Sequence, residues 1–147
     1  MSGAAPEQAG RTSSVQRQPD EERRYLEQAR SIIEQAIELH PTAEAVIHAC
    51  REDAPKTGVL GGEGREVRDG YRRLREELRP LNLPSWLADD LASVLDHHLE
   101  LVSLALELSY RPQTERIQTQ RHRLHGLGPS ADHMLVLRDR LTDELGA

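Results

Sequence analysis

Five arginines, Arg65, Arg68, Arg72, Arg75 and Arg79, are spaced three, four, three and four residues apart. A helix would align them in one stripe. Guanidinium groups pair bidentately with carboxylates and phosphates, so such a stripe suits an acidic partner surface. It equally suits internal pairing, with Asp69, Glu76 and Glu77 beside it or with Asp89 to Glu107 on the next segment. Seven histidines follow: His40, His48, His97, His98, His122, His125 and His133. His98 falls on the seam of Leu91, Val94 and Leu101, which predicts burial. A buried imidazole more often bonds a carbonyl or carboxylate than a metal. His122 and His125, three apart, could supply two metal ligands and His133 a third. No histidine has Glu three residues before it, and no His-Glu-x-x-His occurs, so no metal site and no cofactor is expected.

The carboxylates Glu76 and Glu77 lie across the Pro80–Pro84 turn from Asp89, Asp90, Asp96 and Glu100. Acidic pairs on adjacent helices can hold Mg²⁺; the alternative is a solvated polar stripe. Cys50 is the one cysteine, so it forms no internal disulfide and no cysteine zinc site. Its spacing from Val46 and Ile47 indicates burial rather than nucleophilic chemistry. Residues 54–64 contain Gly58, Gly61, Gly62 and Gly64, but Lys56-Thr57 precedes them and no strand does. That order excludes a P-loop and leaves a flexible connector or hinge.

The elements that must position these residues are helical throughout. Residues 1–19 are rich in Ser, Gly, Ala, Gln and Pro and read as a disordered tail, leaving 20–147 as one domain. Pro19 and Asp20 to Glu22 start a helix carrying Leu26, Ala29, Ile33 and Ala36. Pro41 is expected to end or kink it, with a shorter helix over about 42–52. A third helix spans about 65–79, with Val67, Tyr71, Leu74 and Leu78 on one side. The strongest element spans about 84–110: Leu87, Leu91, Val94, His98, Leu101, Ala105 and Leu108 form one seam. Asp89, Ser93, Asp96, Glu100, Ser103 and Glu107 form the opposite one. Trp86 near its start is a core or interface anchor. Two more helices follow, from Pro112 to about His125 and over about 131–145. No period-two alternation appears, so the expected fold is an all-α bundle of five or six helices around a long central helix.

Composition agrees. The chain has 147 residues, 37% apolar and 30% charged, enough for one domain with an aliphatic core. Its net charge of −6 and three isolated tyrosines argue against nucleic-acid binding. Residues 54–80 hold seven basic and five acidic side chains, whereas 81–110 hold five acidic and no Lys or Arg. Neighbouring segments could therefore neutralise one another. No apolar run is long enough for a bilayer, and with a lone cysteine this points to a cytoplasmic protein.

Two local resemblances suggest enzymes. His122-Arg123-Leu124-His125-Gly126 resembles the signature of histidine-containing phosphotransfer domains, helical bundles whose exposed histidine carries a phosphoryl group. The resemblance implies His122 as acceptor; His125 stands where that family has Lys, and Pro129 breaks a helix that should continue. The carboxylates around 76–100 resemble those of all-α nucleotide pyrophosphohydrolases, although Arg79-Pro80 interrupts the first motif. A third possibility is a small-molecule sensor with a pocket near His98 and Trp86. The reading that needs no placed reactive group is a non-enzymatic regulatory or adaptor protein. It would bind an acidic protein partner, or its own copy, through an exposed apolar strip and the arginine stripe, using Arg65, Arg68, Arg72, Arg75, Arg79, Trp86 and His98.

Overall fold

A computed structural model describes side chains over residues 19–146 and the backbone from Ala4. Of the expected tail over 1–19, the side chains of residues 1–18 lie outside the described residues, while the helical backbone of α1 begins at Ala4 and runs through Pro19, where a helix start was expected. Five α-helices follow one another: α1 (Ala4–Arg51), α2 (Gly64–Leu78), α3 (Ser85–Tyr110), α4 (Glu115–His122) and α5 (Pro129–Gly146). A π-helical turn, Val59–Glu63, runs directly into α2. The molecule is an all-α bundle, and no strand occurs among the described residues.

The two helices expected on either side of Pro41 are one. A proline inside a helix removes one backbone hydrogen bond and costs about 3 kcal/mol. Here the same face continues through it: Ile33, Ala36, Ala43 and Ile47 are all buried at helical spacing. Burying that seam offsets the missing bond. The far end of α1 is held by Arg121, which is 2% exposed. Its guanidinium donates from Nε and Nη2 to the Cys50 carbonyl at 3.0 and 2.7 Å, and to Gln113 and Asp53 at 2.7 Å each. Carbonyls in the last turn of a helix lack internal partners, and a cation there also suits the helix dipole.

Helix α3 packs against every other helix, as an axis should, and α1 shares that role. Its apolar surface is nearly all covered, which corrects the expected exposed strip: only Leu104 (40% exposed) and Tyr110 (50%) remain open on it. The long α1 supplies the cover that short, polar neighbours would not.

The Gly-rich segment is packed rather than free. Leu60, Gly61 and Gly64 are buried, and a Cβ on Gly64 would lie 2.7 Å from Leu106 Cδ2. Glycine there lets the start of α2 sit directly on α3. At the other end of the pair, the Arg75 Nε bonds Asp96 Oδ1 at 2.7 Å. The two helices are therefore antiparallel, the basic segment lying along the acidic one. Helix α4 starts at Glu115 rather than near Pro112, because Thr114 is its N-cap, its side chain accepting from the Ile117 N–H at 3.2 Å. Pro129, expected as a breaker, opens α5, where its missing N–H costs nothing.

Candidate functional site

The first turns of α2 and the last turns of α3 enclose an open groove of about 440 Å³. Arg65, Arg68 and Arg72 form one wall; Ser103, Leu106, Glu107 and Tyr110 form the floor and the other wall. Arg65 Nε donates to the Gly61 carbonyl at 3.1 Å. Arg68 and Arg72 share a single carboxylate, Asp69, at 3.4 and 3.8 Å, distances too long for strong pairs. Across the groove Glu107 is already engaged by Arg111. Lys56 adds a further cation, its Nζ 5.4 Å from the Tyr110 ring, while the Tyr110 hydroxyl donates to the Lys56 carbonyl at 2.8 Å. The groove thus has an apolar floor and more positive than negative charge around it.

The five stripe arginines have different surroundings. Arg65, Arg68 and Arg72 line the groove, Arg75 is taken up by Asp96, and Arg79 is exposed beyond the end of α2. Trp86 is not a free anchor: Arg140 of α5 lies over its ring, 3.8 Å from the centroid.

His98 is wholly buried and is the meeting point of four helices. His40 of α1 and Tyr71 of α2 place their rings edge-on to it, at 5.1 and 5.5 Å between centroids. Ser130 of α5 lies 2.8 Å from its Nε2. The Ser130 hydroxyl donates to the Leu127 carbonyl, so it must accept from His98, which assigns the imidazole proton to Nε2. That leaves a bare lone pair at Nδ1. His98 Nδ1, His40 Nε2 and the Tyr71 hydroxyl are all buried without a hydrogen-bond partner. Burial, then the neighbouring His40 and His97, pushes the His98 pKa down to about 4. Burial lowers His40 too, against the opposing pull of Glu44. Tyr71 is raised, by burial first and by the Glu44 charge second. Glu44 itself is held by the Leu127 N–H at 2.8 Å.

This centre cannot serve as a nucleophilic Ser–His pair, because the serine proton points at Leu127 and no carboxylate orients Nδ1. Nor does it form one small pocket with Trp86. The two residues stand twelve positions apart on α3, about 18 Å by helical rise.

The remaining candidates are dispersed. His122 is exposed at the last position of the short α4, with the buried Arg121 beside it. His133 reaches Asp90 at 3.3 Å. Among the described residues no three His, Cys, Asp or Glu side chains converge as a metal site. Asp89, Asp96 and Glu100 line a second hollow of about 500 Å³ with Ala92, Ser93 and His97, a hollow that Glu76 and Glu77 do not line. Cys50 is buried, and its contribution is its carbonyl.

Two of these residues, His40 and Arg121, carry a sequence signal that Pro41 and the polarity of α4 obscure. His40 continues the seam Ile33, Ala36, Ala43, Ile47, once the helix is read through Pro41. Arg121 stands between Ile117 and Leu124 at spacings of four and three, an inward position. Ser130 and Glu44 carried none, since both act across distant segments. Comparison of the chain with known protein families, with curated proteins and with solved structures finds no match in any of the three.

Proposed function

We propose that the protein is a binding module of regulatory or adaptor type, which receives an acidic segment of a protein partner in the α2–α3 groove. The observation that carries this reading is the incompletely paired charge of Arg65, Arg68 and Arg72, which have one weakly held carboxylate between them, beside the apolar floor of Leu106 and Tyr110. An aliphatic or aromatic side chain of the partner would cover that floor, while its carboxylates replace water and the weakly held Asp69 at the guanidinium groups. Apolar contact supplies affinity, and charge supplies selection and a fast encounter. A reaction is not needed to explain this arrangement: the exposed His122 lacks a surrounding site, and the buried His98 is closed off.

The test is fluorescence anisotropy with a labelled peptide rich in Glu and Leu. Arg68→Glu combined with Arg72→Glu is expected to weaken binding by at least about tenfold. Raising the salt should weaken the wild type as well, and circular dichroism of the variant should stay helical. Equal binding by the folded variant and the wild type would remove the groove from the mechanism.

A further inference from the structure

The basic groove and the acidic hollow both open along the same edge of α3, the hollow being lined by α3 residues alone. Asp89, Ser93, Asp96, Glu100, Ser103 and Glu107 follow one another at spacings of four, three, four, three and four, a straight line on a helix. The first four line the acidic hollow and the last two the basic groove. The centres of the two hollows are about 18 Å apart by helical rise. No Lys or Arg lines the acidic hollow. Of its carboxylates Asp96 is answered by Arg75, while Asp89 and Glu100 have no ion pair among the described residues. This edge therefore carries an excess of positive charge at one end and unanswered negative charge at the other.

We infer that the acidic segment received by the groove is the α3 edge of a second copy of this chain, giving a two-fold dimer. The inference rests on the reading of the groove given above. A two-fold axis lying in the plane of the face, perpendicular to α3 and passing near Glu100, brings the two faces together and turns α3 antiparallel to its partner. It lays each basic groove on the other copy's acidic hollow. Such an interface is self-complementary, as two-fold contacts must be. An unrelated acidic partner would cover the groove and leave Asp89 and Glu100 unanswered; a second copy satisfies both ends at once. The face spans about 32 Å along α3 and roughly two helix widths, about 600 Å² per copy. That lies at the lower limit for a stable complex, so the dimer is weak and salt-sensitive.

Sedimentation equilibrium on the full chain tests this at about 0.15 M and about 1 M salt, both high enough to screen the general repulsion between two copies of charge −6. The wild type is expected to dimerise at the lower salt and to dissociate at least about tenfold more readily at the higher. Arg68→Glu with Arg72→Glu should be monomeric, as should Asp89→Arg with Glu100→Arg. Mixing the two reversed variants should restore a dimer of one copy each, which a merely misfolded variant would not do. A wild type that stays monomeric overturns the inference, as does a dimer that survives both reversals. If the monomer still binds the Glu- and Leu-rich peptide through Arg68 and Arg72, only the second copy is wrong. If it binds neither, the groove reading falls as well.

Discussion

The groove and the centre at His98 are built on the same helix, and they treat polarity in opposite ways. In the groove, guanidinium groups stand in water with loose, exchangeable partners, and a change of sign costs the fold little. Around His98, four helices close on a few polar atoms, and three of those atoms have no partner. Each unpaired atom there costs free energy that water would otherwise supply. Polar groups at the surface can thus be used for recognition without risk to the fold, whereas polar groups at the helix crossing are part of the fold itself.

Four experiments would break or sharpen that contrast. Truncating His98 to Ala should remove about 3 kcal/mol of stability in denaturant titrations, through the cavity left among α1, α2 and α3. An unchanged midpoint would show that the crossing is less tightly packed than it looks.

Acid should act to a similar extent. The folded-state pKa of His98 lies near 4, below the ordinary 6.5, so the unfolded chain takes up its proton first. Stability is then fully present above about pH 6.5 and falls as the pH drops toward 4, by roughly 3 kcal/mol. His40 adds to the loss in the same direction, and His97 and Glu44 are the charges that face the pair. His98→Leu should flatten the pH profile measured by thermal unfolding; a profile as steep as the wild type's would assign the acid sensitivity elsewhere.

Tyr71→Phe deletes an unpartnered buried hydroxyl, so it should leave stability unchanged or raise it by up to about 1 kcal/mol. A clear loss would mean that the hydroxyl is satisfied in solution. The smallest effect on the fold belongs to the groove: Arg68→Glu with Arg72→Glu should move stability by no more than about 0.5 kcal/mol while abolishing peptide capture. A large loss of stability would erase the distinction between the two regions.

The helices were legible in the sequence wherever periodicity or capping chemistry is local. The α3 seam, the α2 face through Val67, Tyr71 and Leu74, and the burial of His98 and Cys50 all follow from spacing. The run of α1 through Pro41 was not legible, because a local rule forbids what burial along a long face outweighs. The arginine stripe was legible as a stripe. Its division into Arg65, Arg68 and Arg72 at a groove, Arg75 in an ion pair and Arg79 outside was not, since that depends on how far α3 reaches along α2.

From the amino-acid order alone come the helical class, the acidic and basic segments that lie side by side, and the inward set of each helix. These depend on interactions within a few turns. Which residues meet across helices came only from the packing: His40, Tyr71 and Ser130 around His98, Arg121 on the end of α1, and Leu106 and Tyr110 beneath the arginines. Such contacts join residues dozens of positions apart, and the angle at which two helices cross is set by the joint packing of all their side chains.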